Sequence, residues 1–474
     1  MNIAEKLKFG SSRRKLNEQR KKIIILGAGQ VGGTEAEILA AENHDVTVVD
    51  RNNDVLRELN DRMDIRTILG QASYPDVLRD AGADEADFTI AATDSDETNM
   101  VAMQIVYSLL KGSGRVARIR SQEYIKEKNL FLNKNMPVQV VISPEILVTD
   151  RIQHIIEHPG AMQVVDFADG RVRLVGVRID KGAAMDGQPL SQLPKLLQDN
   201  ERARVVAIYR QDEPLIPQGS TIMKGEDIVF FICKRNHTSQ VLEHFHSEDL
   251  QCTHVMIAGG GNIGFSLAKK LEETYRVKII ERNPERAEFL ASHLDDSMVL
   301  QGDAANHDML AEENIQDMHV FCALTNDDEA NILSAMLAKS MGAHKVMSLI
   351  NRKEYVNLVE RDIIDVAVSP QLITIGALLT HIRGADVVAV HSLRKGRAEA
   401  LEVVAHGENV VGKEVEALEL PEGATIGCVV RGQEVLMPHH DLIINADDHV
   451  IILVVQKDQI EKVGKLFQVG ATEF

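Results

Sequence analysis

The stretch Lys22-Ile23-Ile24-Ile25-Leu26-Gly27-Ala28-Gly29-Gln30-Val31-Gly32 decides the fold, because the chain contains the same device a second time, as His254-Val255-Met256-Ile257-Ala258-Gly259-Gly260-Gly261-Asn262-Ile263-Gly264. Each copy is an apolar run short enough for a buried strand, flowing into G-x-G-x-x-G and then into a segment with helical spacing. In that context each glycine has a separate task. Gly27 and Gly259 allow a tight turn, Gly29 and Gly261 keep a Cβ away from a diphosphate, and Gly32 and Gly264 let helix and strand close up. The free N–H groups and positive end of the helix then face an anion.

A second strand follows each motif and ends in an acid, Val46-Thr47-Val48-Val49-Asp50 and Val277-Lys278-Ile279-Ile280-Glu281. The spacing suits a carboxylate that accepts both hydroxyls of an adenosine ribose. A carboxylate about 4 Å from a 2′-phosphate costs roughly 4 kcal/mol per unit charge at an effective dielectric of 20, so NAD or adenine nucleotides are expected over NADP. Arg51 and Arg282, which follow the acids, soften that preference, since an arginine here can accommodate a phosphate.

Working outward, strands and helices alternate through strand 66–69, helix 75–81, strand 88–92, a helix ending near Leu110 and strand 116–120. That alternation predicts a parallel sheet covered on both faces. The order returns 232 residues later, Gly27 matching Gly259, Gly70 Gly302, Thr93 Thr325 and Asn99 Asn331. The chain is therefore an internal duplication. Ser143-Pro144-Glu145 and Ser369-Pro370-Gln371 each open a one-faced apolar helix. Each helix is expected to cover its own sheet, the alternative being a face offered to another subunit.

Each half then changes to short alternating strands with Gly and Pro turns, at 172–179, 205–209 and 228–233 and again at 425–431 and 449–455. These tails are small for catalytic domains and suit a regulatory or dimerising role. The expected divisions are a basic extension 1–20, a nucleotide domain 21–142, a connecting helix 143–160 and a small domain 161–247. The second half repeats them as 251–368, 369–384 and 385–474.

Composition bounds the function. The chain of 474 residues is too long for one core, and no apolar run approaches the roughly 20 residues of a membrane helix. Residues 1–22 have no apolar centre, so no secretory signal is expected. A net charge of −19 argues against nucleic acid as the partner. The exception is the basic start, Lys6, Lys8, Arg13, Arg14, Lys15, Arg20, Lys21 and Lys22, read as a solvated arm or as a contact for anionic lipid or an acidic partner. The cysteines 233, 252, 322 and 428 lack metal-ligand spacing and read as reduced core residues. The pair His439-His440 reads as turn surface.

The acids after strand four, Asp94-Ser95-Asp96-Glu97 and Asn326-Asp327-Asp328-Glu329, could hold a cation. A helix cap explains them more simply, with Asp94 and Asn326 as N-caps and Glu97 and Glu329 three residues on. Thr93 and Thr325 should border a ligand at the strand ends. No catalytic constellation recurs in both halves. An NAD-dependent oxidoreductase with a duplicated cofactor domain, and a scaffold with decayed sites, are the rival readings.

The combination of Gly27-Ala28-Gly29-Gln30-Val31-Gly32-Gly33, Val48-Val49-Asp50, Ala92-Thr93-Asp94-Ser95-Asp96-Glu97-Thr98-Asn99 and Thr425-Ile426-Gly427-Cys428-Val429-Val430-Arg431-Gly432 resembles the TrkA family of bacterial potassium-uptake regulators. The resemblance implies two tandem Rossmann-like domains, each followed by a small α+β RCK C-terminal subdomain. It also implies no enzymatic turnover, NAD(H) and ATP or ADP as ligands, and assembly into a ring, a homotetramer, on the cytoplasmic face of the membrane beneath a TrkH-like potassium subunit. By the match, the first site is Gly27, Ala28, Gly29, Gln30, Val31, Gly32, Asp50, Arg51, Gln71, Ala72, Thr93 and Asp94. The second is Gly259, Gly261, Asn262, Ile263, Gly264, Glu281, Arg282, Asp303, Ala304, Thr325 and Asn326. Gln71 stands where the family carries the carboxylate that Asp303 supplies, so the two sites are expected to differ in ligand. Gln30 and Asn262 replace an arginine that ATP-sensing relatives use.

Overall fold

The computed structural model describes residues 20–467 apart from 113, 198–202, 216, 248–251, 353–354, 357–358, 360–363, 383–386, 395–396, 440 and 457–458. Residues 1–19, which carry most of the basic extension, and His440 lie outside the described residues. The chain divides into two compact units, 1–144 and 145–474.

In the first unit, β1 (Lys22–Leu26), β2 (Asp45–Asp50), β3 (Arg66–Leu69), β4 (Phe88–Ala91), β5 (Gly114–Arg118) and β6 (Val140–Ile142) form one sheet in the order β3-β2-β1-β4-β5-β6. Every pair is parallel. Ile23, Ile24, Ile25 and Leu26 are buried because both faces of a parallel sheet are covered, which is why β1 reads as an unbroken apolar run. Helices α1 (Gln30–Ala41), α2 (Asn53–Arg62) and α3 (Asp96–Ile105) follow β1, β2 and β4. The strand order reverses beside β1, so the ends of β1 and β4 form the switch point where a ligand sits. The sixth strand, β6, is too short at three residues to stand out from sequence.

Most of the second unit opens with α4 (Pro144–Glu157) and then β7 (Ala161–Phe167), β8 (Val172–Arg178), β9 (Ala203–Arg210), β10 (Glu213–Leu215) and β11 (Ile228–Lys234). The second parallel sheet comprises β12 (His254–Ala258), β13 (Arg276–Glu281), β14 (Met298–Gln301), β15 (Val320–Ala323), β16 (Lys345–Leu349) and β17 (Val366–Val368), ordered β14-β13-β12-β15-β16-β17. Its helices include α5 (Asn262–Leu271), α6 (Pro284–His293), α7 (Asp328–Ser340) and α8 (Pro370–Ile382). Last come β18 (Val387–Leu393), β19 (Ala398–Val404), β20 (Ala424–Arg431), β21 (Glu434–Leu436) and β22 (His449–Val454).

The two small sheets share one antiparallel order, β10-β9-β11-β8-β7 and β21-β20-β22-β19-β18. One buried acid recurs in each turn. Asp227 takes Arg210 through both oxygens at 2.8 and 2.7 Å, and Asp448 takes Arg431 at 2.9 and 2.8 Å. The two sheets pack against each other through a common core that includes Phe167, Phe230, Ile232, Cys428, Ile451 and Leu453. Within one chain the first small domain thus buries an apolar face on the second.

Helix α4 departs from expectation. Val148, Ile152, Ile155 and Ile156 are at most 2% exposed and belong to the core of the second parallel sheet, with Ile257, Leu267, Ile279 and Met347. The first half's helix thus covers the second half's sheet. Helical periodicity identifies an apolar face but not which sheet completes it, and burying each of these side chains stabilises by roughly 2 kcal/mol wherever the partner lies. Lys345 at the start of β16 reinforces the junction, its ammonium donating to the carbonyls of Pro159 and Ala161, both at 2.5 Å. Burial pulls that lysine down to about 8.

Candidate functional site

Each glycine loop follows its strand with the same geometry. Gly27 and Gly259 hold φ of +105° and +103°, conformations that side chains other than glycine rarely adopt. A Cβ on Gly32 would stand 1.9 Å from the Gly27 carbonyl oxygen, and one on Gly264 2.0 Å from that of Gly259. A Cβ on Gly29 or Gly261 meets nothing within 4 Å. The third glycine is therefore required by packing, whereas the second faces open space at the N-termini of α1 and α5, where Gln30, Asn262 and the first free amides lie.

The acid at the end of the second strand is fixed by this loop. Asp50 Oδ2 accepts the Ala28 amide at 2.6 Å and Oδ1 accepts the Asn52 amide at 2.8 Å. Glu281 repeats the pattern, Oε2 with the Gly260 amide and Oε1 with the Asn283 amide, both at 2.7 Å. Each carboxylate is oriented by backbone amides, and each oxygen keeps a lone pair for a ribose hydroxyl.

The loop after the fourth strand forms the opposite wall. Thr93 donates its amide and hydroxyl to Asn99 Oδ1 at 3.0 and 2.6 Å, and Thr325 does the same to Asn331 at 2.9 and 2.7 Å. Asn99 and Asn331 are fully buried, and their amides donate to the carbonyls of Arg118 and Leu349, tying this loop to the next strand. The N-caps are Ser95 and Asp327, accepting the Thr98 and Ala330 amides, one residue beyond the expected Asp94 and Asn326. The acids inside the turn have another task. Asp96 accepts the amides of Arg120 and Ser121, and Asp328 those of Asn351 and Arg352. Three side chains able to cap stand in a row in each loop, which makes the cap ambiguous in sequence, and only the strand that arrives later decides which is drawn inward.

The halves differ at the mouth. Arg51 reaches Asp94 at 3.4 Å across the first site, a well-exposed pair worth little in water. Asn326 replaces that acid in the second, where Arg282 is exposed and has Asp327 as a charged neighbour. Gln71 and Ala72 lie on the turn after β3; Asp303 and Ala304 lie on the turn after β14, Asp303 accepting the Ala305 amide at 2.9 Å. In the first turns of α1 and α5, Val31 is buried and Ile263 is half-buried against the core of the second parallel sheet.

Two residues, one at the second site and one on the helix that follows the first glycine loop, escape sequence reasoning because they have no counterpart in the other half. Arg286 donates to the Gly260 carbonyl at 2.6 Å and lies over Phe289, 4.4 Å from its centroid, where the first half has Val55. Glu35 on α1, aligned with Leu267, is 2% exposed with Oε2 unpartnered among the described residues. Burial pushes it up to about 8 against the opposing pull of Arg118. Among the described residues no group of His, Cys, Asp and Glu could hold a metal ion, and no helix is long and apolar enough to cross a membrane. Three of the four cysteines are buried, Cys252 partly so, and all are free.

The TrkA-N domain family matches residues 23–144 and 255–370, and the TrkA-C domain family residues 174–246 and 400–468. The Trk system potassium uptake protein TrkA of Halomonas elongata is 50% identical over 457 residues, 96% of this chain and 100% of its own. That of Vibrio alginolyticus is 52% identical over 452 residues, 94% and 98%. The GsuK RCK domain shares the fold at a TM-score of 0.61 and 18% identity, covering 94% of this chain and 95% of that one. The GsuK channel bound to NAD does so at 0.60 and 17%, covering 94% and 79%. With both domain families present twice and relatives aligned over almost its whole length, the chain belongs to the TrkA family of Trk system potassium uptake proteins.

Proposed function

We propose that this chain is the nucleotide-sensing regulatory subunit of a potassium uptake system. NAD(H) binds at both glycine loops, with ATP or ADP as competing ligands. Four copies assemble into a ring on the cytoplasmic face of the membrane, and its conformation controls a TrkH-like membrane subunit. The observation that carries this reading is the pre-set carboxylate, Asp50 on the Ala28 amide and Glu281 on the Gly260 amide, beside a glycine with open space. The name of the family's potassium-uptake relatives and the NAD-bound GsuK channel of the same fold support it.

In this reading the diphosphate lies over Gly29 or Gly261 and the helix N-terminus, where backbone amides and the helix dipole favour an anion. The ribose meets Asp50 or Glu281, and the adenine end lies between Arg51 and Asp94, or between Arg282 and Asn326 with Asp303 beside it. A ligand shifts a conformational equilibrium only by its difference in affinity for the two states. Moving 1:99 to 99:1 takes about 5.5 kcal/mol, so eight sites in a ring of four chains need roughly 0.7 each. Small-angle scattering of the full chain with and without NADH, and with and without ATP, tests it. A ligand-dependent change in shape with no oxidation or reduction of cofactor is expected; identical curves under saturating ligand would sink the reading.

A further inference from the structure

Within the second unit a cavity of about 500 Å3 lies among α4, β7, β17, α8 and β18, away from both glycine loops. That is the size of a small-molecule site. Its wall is largely apolar, with Val164, Phe230, Val366, Ile373 and Val388 among its residues. The charges that line it are nearly all paired. Asp166 accepts Arg173 at 2.6 Å, Asp365 accepts Lys339 at 2.8 and 3.0 Å, Asp150 is bonded to Lys270, and Arg394 to Asp212.

Arg151 is the exception. Its guanidinium donates from Nη1 to the Val164 carbonyl at 2.7 Å and makes no ion pair with a carboxylate among the described residues. Burial lowers it to about 10, with no neighbouring charge working the other way. Beside it stands His391, whose ring packs edge-on against Phe167 at 5.0 Å and whose nitrogens have no hydrogen-bond partner among the described residues. Burial first, and then the charge of Arg151, push His391 down to about 3 against the opposing pull of Asp166, which is itself engaged by Arg173, so the ring is neutral and offers one N–H. Arg151 and His391 are both half-buried; a cation partly withdrawn from water without a counter-charge is costly, and one placed at an apolar cavity beside an idle N–H donor is complementary to an anion.

We propose that this cavity binds a small organic monoanion with an aryl or branched aliphatic body, its carboxylate or sulfonate received by Arg151 and His391. One unpaired positive charge fits one negative charge, which favours a monoanion over a phosphate dianion. The cavity joins the connecting helices α4 and α8 to the first strands of both small domains, so its occupant braces the packing of these elements.

Two fluorophores of matched shape test this on the full chain, with excess NAD and ADP present: the anion 8-anilinonaphthalene-1-sulfonate and the neutral N-phenyl-1-naphthylamine. The wild type should bind one sulfonate per chain at least tenfold more tightly than the amine. Arg151→Met, which keeps the volume and removes the charge, should abolish that preference while leaving the amine unaffected. Equal binding of both probes, binding of neither, or a preference that survives Arg151→Met would overturn the proposal. Should Arg151→Met fail to fold, His391→Phe, which keeps the ring on Phe167, takes its place: severalfold weaker sulfonate binding supports the site, and unchanged binding refutes it.

Discussion

Asp50 holds the backbone amide of Ala28 at 2.6 Å, so the end of the second strand and the glycine loop are tied together by the chain's own hydrogen bond. Glu281 does the same for Gly260 at 2.7 Å with a side chain one methylene longer. The acids therefore serve both structure and recognition, and substitutions can separate the two. Asp50→Asn together with Glu281→Gln keeps one acceptor for the glycine-loop amide, gives up the bond to the Asn52 or Asn283 amide, and removes the charge. The ratio of NADP to NAD affinity should rise at least tenfold, a conservative share of the roughly 4 kcal/mol repulsion at an effective dielectric of 20. Calorimetric titration of both cofactors measures it, and an unchanged ratio would show that the carboxylates do not face the ribose.

The glycines divide by what a methyl group would meet. Gly32→Ala and Gly264→Ala place a Cβ about 2 Å from a carbonyl oxygen that cannot withdraw, and each should cost on the order of 1–3 kcal/mol, as other overpacking substitutions do. Gly29→Ala and Gly261→Ala find open space, so thermal unfolding should be little changed while nucleotide affinity falls at least tenfold. A normal affinity in Gly29→Ala and Gly261→Ala would place the ligand elsewhere.

Asn331 is the hinge between the loop and the next strand, accepting from Thr325 twice and donating to the carbonyls of Thr325 and Leu349. Asn331→Ala strands buried backbone groups, each costing about 1–3 kcal/mol. Denaturant unfolding should report a loss of at least 2 kcal/mol, whereas Asn326→Ala on the exposed mouth should stay within about 0.5 kcal/mol.

Glu35 gives the first domain a pH dependence that the second lacks. Its acidity falls from the ordinary 4.5 to about 8 because burial opposes the charged form. Between those values the native state binds more protons than the unfolded chain, so stability falls as pH rises, by up to about 1.4 kcal/mol per unit. Glu35→Leu, which installs the residue found at position 267, should flatten the profile between pH 5 and 8 and raise the melting temperature most at pH 8. Parallel melting curves for the two proteins would refute this.

Much of the candidate site is legible in the sequence because its parts are local. A tight turn, a helix start and an acid at a strand end are each set within about ten residues, and Gly27, Asp50 and Thr93 recur in the same order as Gly259, Glu281 and Thr325. Cap assignment failed by one residue at both loops, because Asp96 and Asp328 are drawn inward by amides from residues 120–121 and 351–352, which are distant in sequence. Arg286 and Glu35 were invisible for the opposite reason: they are what the duplication did not preserve.

The chain's own letters determined the duplicated parallel sheets, the alternating small domains and the positions of both glycine loops, because strand and helix periods and glycine stereochemistry act over short distances. Only the tertiary structure decided that helix 144–157 completes the second sheet, that the small domains bury their faces on each other, and that Arg151 is left unpaired among apolar walls. An apolar face carries no address: what covers it, and which charge finds a partner, is settled when elements far apart in the chain compete for the same contacts.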